Sequence, residues 1–253
     1  MTHPILLLAI MVLLGGAFTA REAAAQTVLF DVGHGERFKI EENGSLQLSG
    51  FAQVFRTAGI RVTSLEQPIS EKNLEGVDGL VISGAFSPLK PEEIDAIIHF
   101  IQRGGRLSVM LHIAPPMAPL LDRLQIGHTN GIILETENII GNEPLNFRVN
   151  RFDSHPVLQG IKEVSLYGVW GLINKNDSSR VVASTSSQAW VDLDGSKIKK
   201  KETTFPFGVM VAGELGKGGF LVFGDDAIFQ NKFLDNNKAL AANLANWLKQ
   251  NFR

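Results

Sequence analysis

Between Thr27 and Gln125, short apolar runs alternate with amphipathic helical periods, and this alternation restricts the fold more than any other feature of the chain. The run TVLFDVG reads as a buried strand, and Leu48, Phe51, Val54, Phe55 and Ala58 mark one face of a helix that ends at Gly59. RVTSLEQ and GLVISGAF are strand-like. The next helix has Pro91 in its first turn, Glu92 and Glu93 at its positive end, Gly104 beyond its last turn, and a buried stripe of Ile94, Ile97, Ile98 and Ile101. RLSVMLH supplies another strand. The order strand, helix, strand, strand, helix, strand predicts a largely parallel sheet covered on both faces, a doubly wound α/β arrangement.

From about Gly131 to Thr204 the pattern changes to short strand-like segments: NFRVNRF, VSLYGVWGLI, RVVASTS and AWVDLD, with Asp194-Gly195 as a hairpin signal. FGVMVAGEL and GGFLVFGD then return to core-strand composition. Residues 131–204 are therefore expected to be a β-rich excursion within one domain covering 26–253, because no Pro- or Ser-rich linker and no internal repeat divides the chain. A final helix places Leu240, Leu244, Trp247 and Leu248 on one face, with Asp235 or Asn236 as its cap.

Composition narrows the function classes. A formal charge of −2 over 253 residues provides no long-range attraction to nucleic acid or acidic membrane. The absence of cysteine excludes disulfides, thiolate catalysis, cysteine-ligated zinc and lipid attachment through an N-terminal cysteine. The apolar run Ile5 to Phe18, followed by Ala23, Ala24 and Ala25, reads as a signal peptide over residues 1–25. No Lys or Arg precedes that run, so an uncleaved anchor is the alternative; the run is shorter than the ~20 residues of a spanning helix. The expectation is a periplasmic or secreted protein whose mature form does not span the membrane.

With the elements placed, polar residues fall at the carboxyl ends of separate strands, where ligands collect in α/β sheets. They are Asp31 with His34, Ser83, His112, and Asp225 with Asp226; Arg37 and Phe86 complete the candidate ligand-binding set. The histidines serve as donors, acceptors or metal ligands, and the carboxylates as their partners. Strand ends are also polar simply because they meet water, where Asp and Ser favour turns and caps. DVGHGERF crowds Asp31, His34, Glu36 and Arg37 into seven residues, with Gly33 and Gly35 allowing close backbone approach. A metal set of Asp31, His34, His112 and one aspartate has no HExxH spacing behind it, so no metal and no cofactor are expected. GELGKGG lacks the spacing and the Ser or Thr of a phosphate loop and reads as a hairpin. SGAFSP lacks a nucleophile-elbow frame. His155 before Pro156 reads as a turn cap, His99 as solvated, and Lys197, Lys199, Lys200 and Lys201 as an exposed edge.

VLFDVGHGERF, LVISGAFSPLKPEEIDAIIHFIQRGGRLSVML, FDSHPVLQGI and GELGKGGFLVFGDDAIFQN with DNNKALAANLANWL together resemble the class I glutamine amidotransferase-like superfamily. Within it, the chain resembles a bacterial branch related to the amidotransferase-like domains of gliding-motility auxiliary and intraflagellar-transport proteins. The resemblance implies a flavodoxin-like three-layer sandwich. Amidotransferases of this superfamily place a cysteine on the elbow after a central strand, completed by a His and a Glu. Here RLSVMLH runs into IAPPM without a cysteine, so ammonia release by the thiol mechanism is excluded.

Two functions follow. The first is an exported, non-catalytic module, a pseudoenzyme, that binds a small ligand, a glycan or an envelope protein through the rim, with Phe86 and Phe229 as aromatic anchors. The second is a hydrolase of a sugar or peptide, with Asp225 or Asp226 as base and His34 or His112 as acid or metal ligand. Adjacent aspartates seldom point the same way, so Asp225 is expected to face ligand and Asp226 to cap the next turn.

Overall fold

The computed structural model describes residues 26–249; the expected signal peptide lies outside the described residues. The first half of the chain carries β1 (Thr27–Asp31), α1 (Ser49–Thr57), β2 (Arg61–Leu65), β3 (Gly79–Ser83), α2 (Pro91–Gln102), β4 (Arg106–Met110) and α3 (Ala118–Arg123). A run of strands follows: β5 (Ile126–Leu134), β6 (Ile139–Ile140), β7 (Glu143–Val149), β8 (Arg151–Phe152), β9 (Val164–Tyr167), β10 (Trp170–Asn174), β11 (Ser179–Ser184) and β12 (Trp190–Val191). The chain closes with β13 (Gly208–Leu215), β14 (Gly218–Phe223) and α4 (Leu234–Lys249).

The main sheet has the order β12-β5-β10-β13-β14-β4-β3-β1-β2, with β11 pairing β13 and β8. Its β14-β4-β3-β1-β2 half is parallel. The other half, from β12 through β13 to β14, is antiparallel. The expectation of a mostly parallel sheet therefore holds for one half only, because β13 and β14 are joined by a tight hairpin and the β-rich segment pairs onto β13. A second sheet of β6, β7 and β9 stands apart. This is a mixed α/β fold with four α-helices among the described residues.

Alternation along the parallel strands feeds a core on each face. In β3, Leu80 and Ile82 pack with Ile94, Ile97 and Ile101 of α2 and Leu120 of α3, whereas Val81 faces Phe51 and Phe55 of α1 and Leu240 and Leu244 of α4. No helix among the described residues is long and apolar enough to cross a membrane.

Three local expectations need comment. GELGKGG is the predicted hairpin, with Leu215 opposite Gly218 and Gly216 at φ +63°. Asp194-Gly195 turns the chain but joins no ladder; the loop closes on a single bridge between Trp190 and Thr204, and Asp194 instead accepts from Ser196 N–H and pairs with Lys200. The last helix begins at Leu234 and breaks at Asn237 (φ −126°, ψ 17°), so neither Asp235 nor Asn236 caps it in the expected way. Asn237 is buried: its Oδ1 accepts from Ser165 N–H at 3.0 Å, and its Nδ2 donates to the carbonyls of Ser165 and Ile228. Local side-chain bonding to the backbone of β9 competes with helical geometry here.

Candidate binding site

Because β1, β3, β4 and β14 are parallel neighbours, their carboxyl ends share one edge of the sheet. Asp31, Ser83, His112, Asp225 and Asp226 all stand at that edge, as the sequence predicts.

The residues divide into two groups. In the first, the buried His34 ring lies between carboxylates: Nδ1 is 2.6 Å from Asp31 Oδ2, and Nε2 is 3.1 Å from Glu93 Oε1. Glu93 is fixed in turn by the N–H groups of Ile69 and Lys90, the latter closing the first turn of α2. Burial opposes charge on the ring, but Asp31 and then Glu93 outweigh it and hold the His34 pKa up at about 9. Glu36 Oε2 accepts the His34 backbone N–H at 2.7 Å. Burial, and then the neighbouring Asp31 carboxylate, push the Glu36 carboxyl well above the usual range.

The second group reaches solvent at His112 and Arg37. His112 Nδ1 lies 3.1 Å from Asp226 Oδ1, and the His112 side chain is 38% exposed. The bond to Asp226 raises the His112 pKa; burial opposes this, the charges of Asp226 and Asp225 add to it, and Arg37 works against it. Phe86 lies 5.0 Å from the imidazole between ring centroids, and Phe38 lies 5.3 Å away at an edge. The Arg37 guanidinium stacks over Phe86 at 4.5 Å. Trp170 Nε1 donates to the His112 carbonyl at 3.1 Å, which ties the antiparallel half of the sheet to this rim.

The backbone joins the two groups. The His34 carbonyl accepts the N–H groups of Phe86 and Ser87 at 2.9 and 2.8 Å, so the ring of Phe86 reaches His112 from a segment anchored on His34. His34 itself does not pair with His112; its neighbours are Asp31, Glu36 and Glu93.

The two aspartates exchange their expected parts. Asp225 accepts the N–H groups of Tyr167 and Ala227, so it caps the short 3-10 turn after β14 and holds β9 beside it. Burial and the adjacent Asp226 push its pKa up to about 7 against those two bonds. Asp226, expected as the cap, makes no capping bond and faces His112. Its second oxygen is buried without a hydrogen bond and abuts Gly84, where φ is +70° and a Cβ would come within 2.5 Å of that oxygen. Phe229, expected as a surface anchor, is fully buried. The short turn after β14 points Ile228 and Phe229 inward under α1.

Five buried side-chain polar atoms lack a hydrogen bond among the described residues, and Glu36 Oε1, Ser83 Oγ and Asp226 Oδ2 belong to this one edge. Buried polar groups are nearly always paired in folded proteins, so orphans gathered at one place make this edge a candidate site. Glu93, Phe38 and Trp170 were not singled out as site residues by their sequence. Glu93 carries a helix-start signal that conceals its second role, and the other two carry apolar signals only.

A separate cavity of about 530 Å³ opens near the amino ends of the strands, lined by Arg106, His155, Arg180 and Trp247 among others. Arg106 stacks over Trp247 at 4.9 Å, and His155 Nδ1 accepts Val157 N–H as the predicted turn cap. Burial first, and then the charges of Arg180 and Arg106, hold the His155 pKa down at about 4 from an ordinary 6.5. The folded ring stays neutral while the unfolded one is protonated below 6.5, so this contribution is complete above pH 6.5 and is lost as pH falls towards 4. The difference is worth up to about 3 kcal/mol, reduced to roughly 1–2 kcal/mol by solvent around a half-buried ring. Between pH 6.5 and 4, thermal melts are expected to fall several degrees further for the wild type than for His155→Asn, which retains an acceptor for Val157 N–H. Parallel pH profiles would remove the assignment.

The fold and this edge define a class: a mixed α/β protein with histidine–carboxylate pairs at the carboxyl ends of its parallel strands. Within that class, the chain belongs to the family described as "Domain of unknown function (DUF4350)", whose model matches residues 41–245. No curated protein matches the sequence. Among solved structures, the mmIFT52 N-terminal domain is similar with a TM-score of 0.69 at 16% identity, covering 89% of this chain and 99% of that one. A cytoplasmic protein from Salmonella typhimurium LT2 gives 0.58 at 16% identity over 89% and 100% of the two chains. A ThuA-like protein from Bacteroides uniformis gives 0.54 at 14% identity over 91% and 95%. At these identities the likeness is one of fold.

Proposed function

We propose that this chain is an exported, non-catalytic member of the amidotransferase-like superfamily, built on a flavodoxin-like layout, that binds a polar ligand at the Arg37–Phe86–His112–Asp226 rim. The observation that carries the reading is the gathering of Glu36 Oε1, Ser83 Oγ and Asp226 Oδ2, buried and unpaired among the described residues, at one sheet edge beside a half-buried aromatic ring and an exposed guanidinium. A glycan or a small polar metabolite hydrogen-bonds to the accessible Arg37 and His112 with its hydroxyls and packs its apolar face on Phe86. An envelope protein would use the same aromatic surface through a polar loop. The zero cysteines remove the thiol chemistry of the superfamily.

The test is thermal shift against a panel of neutral oligosaccharides, sugar acids and short cell-wall peptides. A ligand at one hundred times its Kd adds about 2.7 kcal/mol of stability, a rise of several degrees. Arg37→Ala and Phe86→Ala are expected to abolish that rise while leaving the melting temperature of the unliganded protein within a few degrees of wild type. A panel without any shift, together with no envelope protein retained on the immobilised chain, would remove the reading.

The His112–Asp226 pair favours a second reading, a hydrolase. A buried carboxylate on Nδ1 orients the ring and leaves Nε2, which has no hydrogen bond among the described residues, as a general base for water. Turnover of any sugar or peptide substrate that disappears in His112→Ala would establish it over the binding module.

A further inference from the structure

On the loop after β1, a second chemistry stands apart from His112. Asp31, His34 and Glu36 each offer one ligating atom within 4.8 Å of the others, and all three residues are buried. Carboxylates removed from water need a compensating charge or a full set of hydrogen bonds. Asp31 has the His34 ring, and one oxygen of Glu36 has the His34 N–H, but Glu36 Oε1 is buried with no hydrogen bond among the described residues. Two carboxylates, Asp31 and Glu93, hold the imidazole and a third acidic group, Glu36, holds the same residue's backbone N–H, so three possible ligand side chains crowd one histidine in an enclosed space.

The far side of the ring adds an independent pointer. His34 Nε2 is held by Glu93, whose two oxygens are themselves fixed by the backbone of Ile69 and Lys90. A carboxylate on the distal ring nitrogen sets the tautomer and orientation of a histidine that ligates through its proximal one. That proximal nitrogen, Nδ1, points at Asp31.

We propose that Asp31, His34 and Glu36 form a site for one divalent transition-metal ion of the Zn²⁺ class, with Glu93 as the positioning residue of His34. One imidazole and two carboxylates suit Zn²⁺, Mn²⁺ or Fe²⁺; Mg²⁺ and Ca²⁺ prefer all-oxygen sets. An ion about 2.0–2.2 Å from each ligand holds the ligand atoms about 3–4 Å apart, which small side-chain movements achieve here. The ion takes the place of the proton that otherwise sits between Asp31 and the His34 ring. It clamps the loop that carries Arg37 and, through the His34 carbonyl, the segment that carries Phe86. The site stands whether or not the rim binds a polar ligand, and it is assayed with metal alone.

The experiment is calorimetry of untagged, chelator-treated protein with ZnCl₂ and MnCl₂, followed by thermal melts. One equivalent of Zn²⁺ per chain and a raised melting temperature are expected, with affinity at least about tenfold weaker in Glu36→Gln and in Glu93→Gln. Because a variant in this buried network can fail to fold, the wild type is also followed through its imidazole nitrogen resonances. Zn²⁺ is expected to shift one of the six histidines, and that shift to persist in His112→Ala. No binding at millimolar metal, unchanged affinity in folded Glu36→Gln, or a Zn²⁺ shift that vanishes with His112→Ala would each overturn the site.

Discussion

Gly224→Ala is expected to lower the melting temperature by about 10 °C, a loss of roughly 3–4 kcal/mol at the upper end for overpacking. Gly224 links β14 to Asp225 and is bonded on both sides: its N–H donates to the Val209 carbonyl at 3.0 Å, and its carbonyl accepts Trp170 N–H at 2.7 Å. A Cβ at this position would overlap the Trp170 carbonyl oxygen and come within 2.9 Å of Val169 Cγ2. The main obstruction is backbone, so no rotamer change relieves it, and the β10 segment must move away from β14. That movement displaces the Trp170 ring from His112 and the two aspartates from the rim. Gly141→Ala is the control: it sits at φ +64° with nothing within 4 Å of the added methyl, so only the backbone conformation resists, at about 1 kcal/mol. Thermal melts followed by circular dichroism check the pair. Equal losses at both positions would mean that close approach of β10 is not what position 224 requires.

Much of the fold is legible in the sequence because local patterns and tertiary burial agree. β1, α1, β2, β3, α2 and β4 all fall on the segments whose periodicity predicts them, and each strand has apolar residues for both cores. Strand direction is less legible. GKGGFLVFGD shows a core strand but not that its hairpin partner begins an antiparallel half of the same sheet, since pairing partners are set by which edges remain open. Asp194-Gly195 illustrates the limit in miniature: the dipeptide supplies the turn, but the residues beyond it, from Lys197 to Lys201, have too little apolar surface to form a return strand. At Asn237, two hydrogen bonds to Ser165, distant in sequence, and one to the nearby Ile228 carbonyl override the helical preference of the closing segment.

The candidate edge was legible as a place, and its internal wiring was not. Parallel strands bring Asp31, Ser83, His112, Asp225 and Asp226 to one side whatever their side chains do. Which oxygen meets which nitrogen depends on turns of two or three residues. The turn after β14 directs Asp225 to the backbone of Tyr167 and Ala227 and leaves Asp226 to His112, the reverse of the reading from strand alternation. Glu93 reaches His34 only because α2 begins beside the loop after β1, a juxtaposition that no sequence spacing of 59 residues reveals.

Phe229→Ala is expected to cost about 3–5 kcal/mol and to lower the melting temperature by roughly 10–15 °C, without a direct effect on the rim. The ring is stacked on Phe51 at 4.3 Å with an interplanar angle of 5°, and it meets Phe223 edge-on at 5.7 Å. Phe51 in turn contacts Phe30 and Phe55, so one truncation opens a cavity at the centre of an aromatic cluster under α1. Neighbours locked in edge-to-face contacts cannot collapse into that space, which places the loss towards the upper part of the range for large-to-small changes. Phe229→Leu retains most of the volume and forfeits the stacking, so about 1–1.5 kcal/mol is expected. Phe86→Ala separates stability from binding in the opposite sense: its half-buried ring contributes to the exposed surface beside His112, and its loss should be read in ligand affinity more than in melting. Urea unfolding checks the three variants together. The expected order of midpoints is Phe86→Ala above Phe229→Leu above Phe229→Ala; a Phe229→Ala protein as stable as the wild type would return Phe229 to the surface role that its sequence suggests.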